Sequence, residues 1–314
     1  MKKEIISQMK ASKGIILGAH INPDGDAVGA LVGMATLCGF LHIPYQVMLE
    51  KIPEGFNELL ENINVSNEAT IDYDTFVSVD CGGIDRLGKY KEMFEQANVT
   101  VNIDHHETNT HFADLNEVHA DASATCEIIY EMIKEAGCPL TTQLAESLYT
   151  GILSDTGAFM HACTSAYTHR IVASLLEVPF DFTKIYYNQM IAKSEIATIM
   201  ESVAISHLKK INDKGMYLAY ITPEEMEQKG ATKEDLGSIV SQVKNIKGCE
   251  VAIFIYPIED EKYKVSFRSN APYDVAKLAT TFGGGGHVRA AGATLSGTLD
   301  EVIGHVCKAL NSES

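Results

Sequence analysis

Residues 14–30 read GIILGAHINPDGDAVGA, and the fold is decided here. The run GIILGA (14–19) is short, apolar and followed by polar residues, the pattern of a buried strand. Asn-Pro-Asp-Gly then turns the chain, and AVGALVGMATLCGFL (27–41) has the length and composition of a buried helix. His20, Asp24 and Asp26 crowd the turn between the two elements. Carboxylates that close repel one another unless something positive sits between them. The loop therefore admits two readings. An imidazole with two carboxylates is a hard-ligand cluster suited to Mn²⁺ or Mg²⁺. Alternatively, the turn is an Asx-turn that caps the following helix.

Working outward, TFVSVD (75–80) and VTVNID (99–104) are further β-type runs, each ending on an aspartate. Helical stretches follow at ATCEIIYEMIKEAG (124–137), QLAESLYTGILSD (143–155) and AYTHRIVASLLE (166–177). This alternation predicts an α/β fold, with a mainly parallel sheet and helices on both faces. Ligands of such open sheets gather at the carboxyl ends of the strands. His20, Asp80 and Asp104 fall at or just past those ends. The stretch DFTKIYYNQMIAKSEIATIMESVAI (181–205) lacks Gly and Pro and reads as a helical connector. Beyond it, MYLAYIT (216–222), EVAIFIYPI (250–258) and YKVSFRS (263–269) are strand-like, while LGSIVSQVKNI and DVAKLATTF are helical. These describe a second, smaller α/β unit. The expected divisions are 1–180, 181–205 and 206–314.

Composition narrows the partners. Of the 314 residues 46% are hydrophobic and 21% charged, ordinary for a soluble globular protein. The net charge of -17 argues against a long nucleic-acid duplex, whose affinity comes from Lys and Arg on phosphates. A short phosphorylated ligand held by local groups remains compatible. Seven scattered cysteines without a C-x-x-C pair support neither a zinc finger nor a disulfide framework, so a reducing cytoplasm is expected. No apolar run approaches the ~18 residues of a membrane helix.

The chemistry-bearing residues come in short motifs. Asp80 stands in SVDCGG, and NIDHHETN sets Asp104, His105 and His106 together at a strand end. Three consecutive ionisable side chains there are hard to explain as packing. If His105 binds a metal, Asp104 can accept its other N–H and leave His106 facing substrate. Asp155 closes the apolar helix in GILSDTGAF. Each aspartate alone would pass as a turn former or helix cap.

Together, HINPDGDAVGA, VDCGG, DHH and SDTGAF, in this order, resemble the four motifs of the DHH phosphoesterase superfamily. SFRSN and GGGGHVRAAGA look like its DHH-associated substrate-binding domain. Length and paired domains most resemble the bacterial nanoRNase/pAp phosphatase type. The resemblance implies two divalent cations, usually Mn²⁺, with Mg²⁺ or Co²⁺ as alternatives. One would be held by His20, Asp24 and Asp80, the other by Asp26, Asp80, His105 and Asp155, with Asp80 bridging. Four carboxylates would then meet two divalent charges and balance them. It further implies that His106 contacts the scissile phosphate while Asp104 orients a histidine. Arg268 and the Gly283–His287 loop, including Gly284, Gly285, Gly286 and His287, would bind substrate, helped by Ser269, Asn270 and Arg289. Glycines let backbone approach a ligand, and arginine grips phosphate bidentately. The implied activity is hydrolysis of short oligoribonucleotides and 3′-phosphoadenosine 5′-phosphate (pAp) to nucleoside monophosphates. The 181–205 connector would be a hinge between domains closing on substrate. A linear or cyclic dinucleotide phosphodiesterase is the alternative, and a silent nucleotide-binding regulator would require a lost ligand. A homodimer is compatible with the sequence.

Overall fold

The run after Lys13 becomes strand β1 (Ile15–Gly18), and five strands join it: β2 (Tyr45–Met48), β3 (Val65–Ser66), β4 (Thr75–Val79), β5 (Val99–Asp104) and β6 (Leu115–Val118). These elements come from a computed structural model, which describes residues 1–270 and 273–312. The sheet order is β3-β2-β1-β4-β5-β6 and every pairing is parallel. The chain winds outward through β2 and β3, then returns to lay β4 beside β1. That reversal sets the carboxyl ends of β1, β4 and β5 side by side, the place where open parallel sheets bind ligands.

Around this sheet lie α1 (Lys2–Ala11), α2 (Gly25–Phe40), α3 (Lys91–Gln96), α4 (Thr125–Ala136), α5 (Thr142–Asp155), α6 (Ala166–Leu175) and α7 (Phe182–Tyr186). Successive strand residues feed opposite cores. Ile15 and Leu17 pack with α1, α2, α4 and α5, whereas Ile16 packs with Phe76, Leu87, Tyr90 and Phe94 on the other face. Burial on both faces is why GIIL reads as a continuous apolar run rather than an alternating one. The short strands β2, β3 and β6 left no such run in the sequence.

The chain divides into two compact units, Met1–Ala192 and Lys193–Ser314. The expected continuous helix over 181–205 is in fact interrupted. After α7 a π-type turn covers Tyr187–Ile191, and Ala192 turns to extended backbone. Ser194 then starts α8 (Glu195–Ser206), its hydroxyl accepting the Ala197 N–H at 2.9 Å. A serine that satisfies a new helix start competes with continuing the old one. Phe182 meets Tyr149 edge to face in the first unit, while Met200 and Ala204 are buried in the second.

The second unit is built on β7 (Lys209–Asn212), β8 (Met216–Tyr220), β9 (Val251–Glu259), β10 (Lys262–Ser269), β11 (Gly285–His287) and β12 (Ala290–Ser296). Their order is β11-β12-β10-β9-β8-β7, antiparallel except for the β8–β9 pair. Helices α9 (Pro223–Lys229), α10 (Ile239–Lys244), α11 (Val275–Thr280) and α12 (Leu299–Ser312) complete it. Ile253, Val265 and Phe267 face a core shared with α11 and α12, and Ala252 and Phe254 face α8 and α10. The Gly283–His287 stretch, expected as a loop, contributes strand β11. Among the described residues no helix is long and apolar enough to cross a membrane.

Candidate metal centre

The carboxyl ends of β1, β4 and β5 carry the acidic cluster. His20 lies two residues past β1, Asp80 follows β4 directly, and Asp104 ends β5 ahead of His105 and His106. Asp80 has φ +52, a left-handed turn that swings its carboxylate across the strand ends. Asp24 caps α2, accepting the N–H groups of Asp26 and Ala27 at 3.1 and 3.2 Å. Its turn is therefore an Asx cap, and the same carboxylate lies with His20 and Asp80 in a group that could hold a metal ion. Asp155 is the last residue of α5.

All six expected ligands meet here. His20 Nε2 stands 3.5 Å from Asp80 Oδ2. His105 Nε2 stands 3.0 Å from Asp155 Oδ2, 3.7 Å from Asp80 Oδ1 and 3.9 Å from Asp26 Oδ2. Donor atoms group as His20 with Asp24 and Asp80, as Asp26 with His105 and Asp155, and as Asp80 with His105 and His106, all within 4.8 Å in each group. Asp80 thus has a foot in both expected ligand sets.

The electrostatics mark a place that wants positive charge. Asp26 is fully buried, its carboxylate accepting the Thr125 and Cys126 N–H groups at 2.6 and 2.9 Å. Burial, then the charges of Asp80 and Asp155, push it well above the usual carboxylate range. Burial likewise raises Asp155. Burial opposes charge on His105, but its hydrogen bond to Asp155 and the surrounding carboxylates outweigh that and lift it to about 10. The donors are imidazole and carboxylate alone, a set that fits Mn²⁺ or Mg²⁺. Cys81 does not add a thiolate: burial pushes it up to about 12, and its Sγ donates to the Gly83 carbonyl.

Asp104 lies outside these groups and serves a histidine, but not the one expected. Its Oδ1 is 2.7 Å from Nδ1 of His106, while Nδ1 of His105 faces the Ala122 carbonyl at 3.3 Å. Burial would raise Asp104, yet hydrogen bonds from His106 and Asn109 hold it below its usual range. The same bond, against burial, raises His106. Reading the sequence missed two supports. Asn109 Nδ2 donates to Asp104 Oδ2 at 2.6 Å and to Asn102 Oδ1 at 2.8 Å. Thr125 Oγ1 donates to Asp80 Oδ1 at 3.1 Å. Asn109 follows the DHH triplet closely enough to have been suspected; Thr125, 45 positions from Asp80, carried no local signal.

The second unit sorts its candidates differently. Arg268 on β10 and His287 on β11 both register with Ala290 through β12 and so share one sheet face. Arg268 is half-buried, which lowers it from its ordinary value, and its Nη1 donates to the Phe267 carbonyl at 3.0 Å. Ser269 and Asn270 are tied to structure: Ser269 Oγ donates to the Tyr273 carbonyl at 2.6 Å, and Asn270 Nδ2 donates to the Cys249 carbonyl at 2.7 Å. The glycines are explained in part by packing. A Cβ at Gly284 would lie 2.2 Å from the Gly292 carbonyl oxygen, and one at Gly286, where φ is +147, 2.5 Å from that of Ala290. Gly285 has open space instead. Arg289 is exposed, and its carbonyl accepts the Ser269 N–H at 3.1 Å.

Comparison with known proteins bears on both units. The DHH family, N-terminal domain, matches residues 14–152, and the DHHA1 domain matches residues 212–313. The chain is 30% identical over 316 residues to the bifunctional oligoribonuclease and PAP phosphatase NrnA of Thermus thermophilus, spanning 97% of this chain and 92% of that relative. It is 27% identical over 298 residues to the protein of the same name from Bacillus subtilis, spanning 94% and 93%. A crystal structure of an exopolyphosphatase-related protein from Bacteroides fragilis aligns with TM-score 0.87 at 23% identity, over 99% of this chain and 95% of that one. At that identity the likeness concerns the fold.

Proposed function

This chain belongs to the DHH family, and we propose that it is a metal-dependent phosphoesterase that hydrolyses short oligoribonucleotides and pAp to nucleoside monophosphates. The observation that carries the reading is the cluster at the ends of β1, β4 and β5, where His20, Asp24, Asp26, Asp80, His105 and Asp155 converge. The Thermus thermophilus and Bacillus subtilis relatives, both bifunctional oligoribonuclease and PAP phosphatase by name, agree with it. His20, Asp24 and Asp80 would hold one cation, and Asp26, Asp80, His105 and Asp155 the other, with Mn²⁺ as the expected ion. Such a pair supplies Lewis acidity and charge neutralisation at a phosphoryl group.

The chain's own residues do the rest. His106 is partly exposed, and with its Nδ1 held by Asp104 it presents Nε2 outward. That carboxylate favours the charged ring, the form whose Nε2–H can donate a hydrogen bond to a phosphoryl oxygen as negative charge builds there. Asp104 and Asn109 fix the ring rather than touch substrate. Arg268 and His287 bind a phosphate or sugar of the substrate. A net charge of -17 disfavours long strands, which would meet repulsion beyond the site.

The test is a Mn²⁺-supplemented assay across pAp, 5′-phosphorylated di- to pentanucleotides, cyclic di-AMP and pyrophosphate. Fastest turnover of pAp and the shortest RNAs is expected. Preference for cyclic di-AMP would redirect the reading to a dinucleotide phosphodiesterase. Metal binding with no turnover of any substrate would mean a silent nucleotide-binding protein.

A further inference from the structure

A cavity of about 380 Å³ opens beside His20 in the first unit. That volume lies within the roughly 300–1,000 Å³ typical of small-molecule sites. Ile21 and Pro23 line it from the His20 loop, Met48 and Leu49 from the end of β2, and Leu87 and Tyr90 from the segment Ile84–Tyr90. Glu50, Lys51 and Glu54 stand at its exposed side. The wall is fixed to the metal loop, because the Ile21 N–H donates to the Arg86 carbonyl at 2.8 Å. Gly88, at φ +57, lets that approach happen: a Cβ there would lie 2.4 Å from Ile21 Cγ2.

We propose that this cavity is a nucleobase pocket, selective for a base that carries an exocyclic amino group. The inference rests on the phosphoesterase reading, since His20 belongs both to the cavity wall and to the cluster that would hold the phosphate. Four features choose a base over a second phosphate. The walls are mostly apolar and suit a flat ring. Two carboxylates against one ammonium at the rim repel an anion but accept N–H donors. Adenine (at C6), guanine (at C2) and cytosine (at C4) each carry an exocyclic amino group, whereas uracil has carbonyls at C2 and C4 and no amino group, so its carbonyl lone pairs would face Glu50 or Glu54. Finally, the Tyr90 hydroxyl is buried with no hydrogen-bond partner among the described residues, a state that costs stability unless something pairs with it. Burial first, and the Glu50 charge second, push Tyr90 up to about 12, so it is a donor at neutral pH and complements a ring-nitrogen acceptor.

Calorimetric titration of the Mn²⁺-loaded full chain with AMP, UMP and ribose 5-phosphate tests this. AMP is expected to bind roughly tenfold more tightly than UMP or ribose 5-phosphate, the scale of one hydrogen bond to a charged group. Glu50→Ala should erase the AMP-over-UMP difference, and Tyr90→Phe should narrow it, while ribose 5-phosphate binds all three proteins alike. Equal binding of AMP and ribose 5-phosphate would overturn the proposal. So would an AMP advantage untouched by both substitutions, or no binding of any of the three ligands. Hydrolysis of pAp, followed in parallel, separates the two readings. Turnover without base preference sinks the pocket alone; base preference without turnover upholds the pocket and sinks the phosphoesterase assignment.

Discussion

In the first unit, side chains face side chains. Asp26, Asp80 and Asp155 surround His105 Nε2 within 4 Å, and burial raises Asp26 and Asp155 despite the hydrogen bonds and the imidazole that oppose it. In the second unit, backbone faces backbone. Gly284 and Gly286 sit against the carbonyls of β12, while the hydroxyl and amide of Ser269 and Asn270 are spent on neighbouring carbonyls. Both regions carry residues of the type expected at a ligand site. In the first unit His20 Nε2, His105 Nε2 and the Asp155 carboxylate meet other members of the cluster, whatever else those residues spend on the fold, and that marks a site more reliably than residue type.

Substitutions can break or sharpen this contrast. The largest effect is expected from Asp80→Asn. Changing a group that merely supports a metal ligand costs about 10–100-fold, so loss of a residue in both ligand sets should exceed about 100-fold in Mn²⁺-dependent hydrolysis. Asparagine tolerates the left-handed backbone at this position, so circular dichroism should stay native. Near wild-type turnover would remove Asp80 from the centre. Next comes Asn109→Ala, which frees Asp104 and the His106 ring. A fall in kcat of about 10–100-fold with Mn²⁺ content unchanged is expected from steady-state kinetics and metal analysis.

Arg268→Ala probes whether the second unit has any side chain reserved for substrate. A rise of about tenfold in KM for pAp, at unaltered metal content, fits one lost charge-assisted hydrogen bond. An unchanged KM would leave the second unit without that anchor. The smallest effect separates two neighbouring glycines. Gly284→Ala forces a Cβ into the β12 backbone and should cost about 1–3 kcal/mol in urea unfolding of the full chain, whereas Gly285→Ala enters open space and should cost less. Equal losses would mean the glycine run is not set by strand packing.

How far the sequence was legible follows the same division. GIIL, TFVSVD and VTVNID are buried on both faces, so their apolar character announces strands, and strand ends in a parallel sheet locate His20, Asp80 and Asp104. Asp24 and Asp155 follow because a helix start and a helix end were readable nearby. Partnerships between distant residues were not. Thr125 reaches Asp80, and Thr125 and Cys126 cradle Asp26, only through the packing of α2 on α4. Which histidine Asp104 serves depended on ring orientation rather than spacing. The break at Ala192–Ser194 carried no Gly or Pro, and only the serine cap betrays it. Strand β11 hid in its glycines, which composition assigns to loops.

Equilibrium dialysis against Mn²⁺ followed by metal analysis tests the proposed two-cation cluster most directly. Two Mn²⁺ per chain are expected for the native protein, and fewer for Asp80→Asn. Binding of no Mn²⁺ by the native chain, or two ions kept by Asp80→Asn, would contradict it.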